Sequence, residues 1–206
     1  MSPGLAAALL AGAYLLGSVS FSVLVVRLVQ GLDIRTVGSG NAGATNALRA
    51  AGRKAGAAVL ALDVAKGITA VAVPKALDAP PAVVGGAAVA VVLGHVFPVF
   101  FGFRGGKGVA TSAGALGTLA PAAMALGLVV FLAVVAWKRY VSLGSIVTAA
   151  LFPFLVWITL RLRWKESGGP WLLLAAAAIA LIILFRHSRN LQRLRNGAEP
   201  RLGERR

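Results

Sequence analysis

The sequence contains no cysteine, and it is poor in the other residues that many enzymes use for hydrolysis or metal binding. Among 206 residues there are six acidic residues and two histidines. The lack of cysteine excludes disulfides, thiolate metal ligands and a cysteine nucleophile. Because the few carboxylates and imidazoles show no convincing ligand spacing, we expect neither a paired-carboxylate hydrolase nor a metal site.

Hydrophobic residues dominate the chain. They make up 58% of the sequence, charged residues make up 13%, and the mean hydropathy is +0.84. This composition predicts an all-α, polytopic integral membrane protein with a single membrane-embedded domain over residues 1–206. The formal charge of +15 fits cytoplasmic loops and anionic lipid headgroups better than nucleic acid, because the basic residues form no continuous face.

The apolar runs predict about seven transmembrane helices, one of them short or broken. The first run is too long for the hydrophobic part of a signal peptide and has Arg27 after it, so we interpret it as a span. The predicted segments are Leu5–Val26, Ala55–Pro74, Ala79–Phe101, Val109–Leu119, Pro121–Trp137, Val141–Leu160 and Pro170–Phe185.

The uncharged run from Gly108 to Trp137 decides the topology. As one helix it would be about 45 Å long, too long for a bilayer, and Gly117 and Pro121 offer a break. The first half, Val109–Leu119, is only about 16 Å long as a helix. We therefore expect a half-helix covered by its neighbours, and whether it crosses the bilayer completely stays open at this point.

The distribution of basic residues favours seven spans. With both halves crossing, the N-terminus lies outside, the C-terminus is cytoplasmic, and most of the 21 basic residues lie inside. Lys66 falls within a span, and the basic residues assigned to the outside are Lys75, Arg161, Arg163 and Lys165. This topology also gathers four polar clusters on the cytoplasmic face, at residues 38–49, 94–111, 139–145 and 187–190, which favours one shared site.

The first cluster is a glycine-rich polar block that suits an anion, and we expect that anion to be a phosphate. Glycines let backbone N–H groups approach a ligand closely, and small polar side chains add donors without bulk. The residues expected to bind phosphate here are Gly38, Ser39, Gly40, Asn41, Thr45, Asn46 and Arg49.

The second cluster contains Gly105, Gly106 and Lys107 before a helical segment. This arrangement offers backbone donors, the positive end of a helix dipole and a lysine aimed at the same place. It lacks the glycine spacing of a Walker A loop, and by itself it also fits a loop with an interfacial anchor. Together with Arg49, Lys107 implies a ligand with more than one negative charge.

Five further ionisable or polar residues are candidates. Asp63 and Lys66 lie i, i+3 on one helix face, either supporting the site or forming a self-neutralising pair near the interface. His95 is a candidate in the third span, although a lone histidine there also fits a hydrogen bond to a neighbouring helix. His187 and Asn190 stand i, i+3 at the mouth of the last span, where His187 also fits a residue at headgroup level.

The polar clusters resemble the three motifs of the bacterial acyl-phosphate-dependent glycerol-3-phosphate acyltransferases, the PlsY family. The similarity covers essentially the whole chain in order, and the first two motifs are specific. One departure is Ala42, where the family commonly has proline, and it removes no functional group. The matching stretches are residues 38–46, Gly94-His95 with residues 105–111, and residues 140–145.

The resemblance implies a reaction and its setting. A fatty acyl group passes from acyl phosphate, rather than from acyl-CoA or acyl carrier protein, to the 1-hydroxyl of sn-glycerol 3-phosphate. The products are lysophosphatidic acid and inorganic phosphate, in the first acylation step of phospholipid biosynthesis. The implied location is the bacterial inner membrane with a cytoplasmic active site, no cofactor, and contact with membrane lipid and with the enzyme that makes acyl phosphate.

The expected roles follow from this chemistry. Ser39, Asn41, Thr45 and the glycine amides hold one phosphate, with Arg49 and Lys107 neutralising charge. The resemblance adds Ser142, His187 and Asn190 as contacts of the second phosphate, and the catalytic candidates are Ser39, Lys107, His95 and His187. His95, His187 and a substrate phosphate oxygen remain alternatives for the proton acceptor, and which phosphate binds in which place is open. The rival function is a small-anion transporter, although no internal repeat is visible.

Overall fold

The structure, a computed structural model, describes residues 1–162 and 169–204. Within these residues the regular structure is helical, with two short 3₁₀ turns at Ile34–Thr36 and Val99–Phe101. The helices are α1 (Pro3–Ser18), α2 (Phe21–Gln30), α3 (Ala44–Ala76), α4 (Pro81–Val96), α5 (Val109–Leu119), α6 (Pro121–Lys138), α7 (Val141–Arg161), α8 (Gly169–Arg186) and α9 (Ser188–Arg195).

The predicted class is confirmed. In the part of the chain that the structure describes, six helical stretches are long and apolar enough to cross a membrane, α1 and α2 together forming the first, and α5 is a shorter apolar helix. Of the basic residues used for the topology, Arg163, Lys165, Arg205 and Arg206 lie outside the described residues.

The predicted break in the long uncharged run is also confirmed. α5 ends at Leu119, Ala120 has the non-helical angles φ −136° and ψ 69°, and Pro121 begins α6. Proline suits the first position of a helix because its missing N–H is not needed there. α5 contacts α3, α4, α6 and α8, so this short helix is covered by protein rather than by lipid.

The first predicted span is interrupted between α1 and α2. Ser18 Oγ donates a hydrogen bond to Tyr14 O, and Val19 is extended. Lys66 Nζ from α3 donates to Gly17 O at 3.1 Å and to Val19 O at 2.9 Å. The carbonyls freed by the break are therefore satisfied by a buried ammonium, as a membrane interior requires.

Two other helices begin or end at residues that differ from the predicted ones. α3 runs from Ala44 to Ala76, longer than Ala55–Pro74, and Gly52 kinks it with φ 85° and ψ −178°. The residues before the kink form a short helical arm that carries part of the first polar cluster. α4 ends at Val96, short of the predicted Phe101, and gives way to the 3₁₀ turn.

Two glycine pairs bring helix backbones into direct contact. A Cβ at Gly17 of α1 would meet the backbone of α4, and one at Gly94 of α4 would meet that of α1. Gly67 of α3 and Gly114 of α5 stand in the same reciprocal relation. Such close approaches are typical of membrane helices, whose association depends on packing rather than on the hydrophobic effect. They place Lys66, next to Gly67, and His95, next to Gly94, deep between the helices.

Candidate active site

The loop before α3 is shaped by the side chain of Asn46. Its Oδ1 accepts from Ser39 N at 3.1 Å, and its Nδ2 donates to Ile34 O at 3.2 Å and to Val37 O at 2.9 Å. The residue is buried, and Gly38, with φ +60°, leaves the space that Oδ1 occupies. Asn46, expected to bind phosphate directly, therefore uses its amide to hold the loop.

The other residues of the first cluster lie on the open side of this loop. Ser39, Gly40 and Arg49 are exposed, and Thr45 is half-buried. Among the described residues, no group accepts a hydrogen bond from the backbone N–H of Ala44 or Thr45, which begin α3. These N–H groups and the helix dipole give the loop the donors that an anion needs.

The glycine loop of the second cluster is hydrogen-bonded to the last residues of α4. Gly105 N donates to Val96 O at 3.2 Å, and Gly106 N donates to His95 O at 3.1 Å. A Cβ at Gly106 would run into the imidazole of His95 on one side and the carbonyl of Ala42 on the other. The glycine loop thus lies directly against the first cluster, and only glycine fits at Gly106.

A buried group of ionisable residues supports this loop from behind. Lys66 Nζ lies 2.9 Å from Asp63 Oδ1, and His95 Nδ1 lies 3.5 Å from the same oxygen. The expected proximity of Asp63 and Lys66 is confirmed. Because Lys66 also binds the carbonyls at the α1–α2 break, the group connects α1, α3 and α4. His95 is 7% exposed and faces Gly106, so its ring lies behind the loop.

Lys107 joins the second cluster to the fourth. Its Nζ donates to Asn190 Oδ1 at 2.6 Å, and Asn190 Nδ2 donates to Glu199 Oε1 at 2.6 Å. Arg193 Nε donates to the other oxygen of Glu199 at 2.7 Å. The side chains of Lys107, Asn190 and Arg193 are therefore held around the largely buried carboxylate of Glu199.

The third cluster, residues 139–145, lies next to Glu199 and the segment after α9. Ser142, near the start of α7, is buried beside Glu199, although its Oγ makes no well-aligned hydrogen bond to that carboxylate. Leu202 N donates to Arg139 O at 2.6 Å, and Arg139 Nη2 donates to Leu202 O at 2.9 Å. The segment after α9 thus folds back onto the beginning of α7, and all four clusters meet at one end of the bundle.

Burial and neighbouring charges change the protonation of this site. Burial lowers the pKa of Lys107 to about 8; Glu199 opposes this, and Arg193, Arg186 and Arg49 act in the same direction as burial. Burial, followed by the charge of Lys107, lowers the pKa of His187 to about 4. Near neutral pH Lys107 is mostly a cation and His187 is neutral.

The orientation of His187 fixes its tautomer. Its Nδ1 lies 2.8 Å from Ile183 O. A carbonyl oxygen can only accept, so Nδ1 carries the proton and Nε2 is left as an acceptor. A neutral imidazole with a free acceptor suits a substrate hydroxyl.

Three residues of the site carry a weaker signal in the sequence. Arg186 donates to Gly106 O at 3.3 Å and to Gly105 O at 3.2 Å, which holds the glycine loop from the side of α8. Arg193 and Glu199 form the ion pair described above. Among the basic residues of the tail these arginines are not distinctive, but Glu199 is one of only two acidic residues after Arg186, which marks it as a candidate ion-pair partner.

Comparisons with known proteins agree along the whole chain. The model of a family described as glycerol-3-phosphate acyltransferase matches residues 7–197. A glycerol-3-phosphate acyltransferase of Anaeromyxobacter dehalogenans is 45% identical over 207 residues, which cover 98% of this chain and 100% of the relative. A glycerol-3-phosphate acyltransferase 2 of Moorella thermoacetica is 47% identical over 193 residues, covering 94% and 95%.

Solved structures show the same fold. The crystal structure of PlsY, an integral membrane glycerol 3-phosphate acyltransferase in its glycerol 3-phosphate form, superposes with a TM-score of 0.88 at 39% identity, covering 96% of each chain. The lysophosphatidic acid form of PlsY gives a TM-score of 0.84 at 37% identity, covering 96% of this chain and 95% of the other.

Proposed function

The chain belongs to the PlsY family of glycerol-3-phosphate acyltransferases, which acylate glycerol 3-phosphate, and we propose that its acyl donor is an acyl phosphate and its product lysophosphatidic acid. The observation that carries the proposal is the contact of Lys107 with Asn190 beside three arginines, Arg49, Arg186 and Arg193. So many cations at one end of a membrane bundle suit two phosphate-bearing substrates.

The two phosphates are held by the two halves of the site. One contacts the loop of Ser39, Gly40 and Asn41 and the free N–H groups at the start of α3, with Thr45 and Arg49 beside it. The other contacts Lys107, Asn190 and Ser142, whereas His187, whose Nδ1–H is bonded to Ile183 O, has no donor for this phosphate. Lys107 and Arg49 lie close enough to influence each other electrostatically, so both stabilise negative charge that moves between the substrates.

The chemistry of the proposed donor favours direct transfer of the acyl group. An acyl phosphate is already an activated mixed anhydride, so the protein has to align the hydroxyl with the carbonyl carbon and stabilise developing charge. The 1-hydroxyl oxygen attacks the carbonyl carbon, and the bond from that carbon to the phosphate oxygen breaks. The electron pair of this bond stays on the phosphate, which leaves as inorganic phosphate.

The hydroxyl proton ends on the departing phosphate. Neither histidine suits the role of base: the pKa of His187 is lowered to about 4, and His95 lies behind the glycine loop. His187 Nε2 instead accepts a hydrogen bond from the hydroxyl and orients it. Asp63 and His95 act as positioning residues, because they fix the shape of the loop that carries Lys107.

The proposed setting is the cytoplasmic side of a bacterial inner membrane. The polar clusters meet at the end of the bundle where most of the basic residues lie, which is the cytoplasmic end by the positive-inside rule. Glycerol 3-phosphate reaches this end from the cytoplasm, and the acyl tail of the donor lies among apolar helices. The enzyme that makes acyl phosphate is the expected partner, because that donor is an amphiphile that must reach the membrane.

A product assay separates this function from transport. Purified protein with radiolabelled glycerol 3-phosphate and palmitoyl phosphate should form labelled lysophosphatidate and release one inorganic phosphate for each ester formed. In sealed vesicles, accumulation of chemically unchanged glycerol 3-phosphate without ester formation would instead support a transporter and would contradict the proposal.

A further inference from the structure

A second basic pocket lies at the same end of the bundle, outside the site described above. It is an open cavity of about 530 Å³, within the range of small-molecule sites. None of the residues assigned to acyl transfer lines it. The lining residues are Arg27, Arg35, Phe100, Phe101, Gly102 and Arg104.

One wall of this pocket is rigid. Arg35 holds both oxygens of Asp33 at 2.7 to 3.1 Å, and its Nη1 donates to Phe101 O at 2.8 Å. These bonds tie the turn after α2 to the turn after α4, and the Arg35 hydrogen bond holds the pKa of Asp33 below its ordinary value. The charge of Arg35 is thus matched by Asp33.

The other two arginines lack a directly bonded carboxylate. Arg27, in the last turn of α2, and Arg104, just before the glycine loop, are both exposed. Within the described part of the chain, neither guanidinium has a hydrogen bond or an ion pair. Asp33 also interacts electrostatically with Arg27, but three arginines and one carboxylate leave two positive charges in excess beside a fixed wall, which suits a phosphate.

The surroundings of the pocket are apolar and face outward. Leu28 is 88% exposed, Phe100 60% and Phe103 58%. Exposed aromatic residues next to arginines at the ends of membrane helices mark the headgroup level of a bilayer, and a soluble anion would gain nothing from them. The same combination lets a lipid place its phosphate on the arginines and its chains along the apolar rim.

We propose that this pocket binds the phosphate of an anionic phospholipid from the surrounding membrane. The phosphate lies between Arg27 and Arg104, and the acyl chains pass Leu28 and Phe100 into the bilayer. Basic pockets between helices on the cytoplasmic side of membranes recognise anionic headgroups in this way. This site is separate from the acyl-transfer site and does not depend on which acyl donor the protein uses.

Native mass spectrometry of the full-length protein in detergent tests the proposal. Phosphatidylglycerol and phosphatidylcholine of the same chain length are titrated against the wild type and against Arg27→Gln/Arg104→Gln. We expect the double variant to bind phosphatidylglycerol at least about tenfold more weakly, with phosphatidylcholine binding unchanged. The matched control is Lys54→Gln/Arg195→Gln, which removes the same charge from exposed positions outside the pocket and should behave as wild type.

Unchanged phosphatidylglycerol binding by Arg27→Gln/Arg104→Gln would contradict the proposal, and two other results would also overturn it. One is an equal loss of phosphatidylglycerol in both double variants, which would show a general charge effect. The other is displacement of the lipid by inorganic phosphate alone, which would make free phosphate the ligand. Because Arg27 and Arg104 are exposed, melting temperatures should stay equal, and because they lie outside the acyl-transfer site, glycerol 3-phosphate acylation should persist in the variant that has lost the lipid.

Discussion

Lys107 Nζ donates a hydrogen bond of 2.6 Å to Asn190 Oδ1, across 83 positions of sequence. The contact joins the glycine loop before α5 to α9, and Asn190 passes the connection on to Glu199. The loop and the C-terminal segment therefore form one anion site. Its central cation is Lys107, and the first three predictions concern this residue and the loop that carries it.

Replacing Lys107 by alanine should remove most of the activity. The ammonium stabilises charge that develops as the phosphate leaves, so kcat/KM for glycerol 3-phosphate should fall at least about 100-fold, or roughly 2.7 kcal/mol. Lys54→Ala, at an exposed position, is the control and should stay close to wild type. If kcat/KM of Lys107→Ala remained within about twofold of wild type, the assigned role would be wrong.

The activity should decline above about pH 8. The lowered pKa of Lys107, about 8, means that its charge is present below that pH and is lost above it. Because kcat/KM reports groups of the free enzyme, it should fall about tenfold for each further pH unit. Lys107→Arg keeps its charge and should lose this alkaline limb. A wild-type profile that stays flat to about pH 10 would contradict the prediction.

A methyl group at Gly106 should damage the site. The Cβ of Gly106→Ala would collide with the His95 ring and the Ala42 carbonyl, and such overpacking costs about 1 to 3 kcal/mol. We expect kcat/KM to fall at least about tenfold. Gly12→Ala on α1, where no atom lies within 4 Å of the added Cβ, is the matched control. Equal kinetics of the two variants would refute the tight fit.

Asn46→Ala should lower stability as well as activity. It leaves Ser39 N–H and the carbonyls of Ile34 and Val37 without their partners, which costs about 1 to 3 kcal/mol. We expect a lower melting temperature in detergent, while Asn196→Ala, at an exposed position, should melt like the wild type. A raised KM with an unchanged melting temperature would mean that Asn46 contacts phosphate directly.

Hydrophobic length and breaker residues predicted most of the fold. The uncharged run could be divided at Ala120 because Pro121 cannot continue a helix, and the structure divides it there. The break between α1 and α2 was not predicted, because Gly17 and Ser18 are only weak breakers within a long uncharged run. That break depends on Lys66, which lies 47 residues after Val19 and reaches its carbonyl only in the folded bundle.

Of the site, the sequence predicted the loops better than the residues that hold them. Glycine-rich and basic segments identified the loops, because their composition differs so strongly from the spans around them. Their partners were less visible: Arg186 and Arg193 resemble the other arginines of a basic tail, and Glu199 is recognised only once the tail folds back. The hydrogen bonds by which Asn46 holds the loop were not predicted, since the sequence cannot show which carbonyls its amide will reach.

The acyl donor that the protein accepts is the decisive property of the proposed reaction. Purified protein is given radiolabelled glycerol 3-phosphate with palmitoyl phosphate, palmitoyl-CoA or palmitoyl-acyl carrier protein, at equal concentrations of each donor. We expect labelled lysophosphatidate only with palmitoyl phosphate, and at least about 100-fold less of it with Lys107→Ala at the same protein concentration. Lysophosphatidate formed from palmitoyl-CoA or palmitoyl-acyl carrier protein, with none from palmitoyl phosphate, would contradict it.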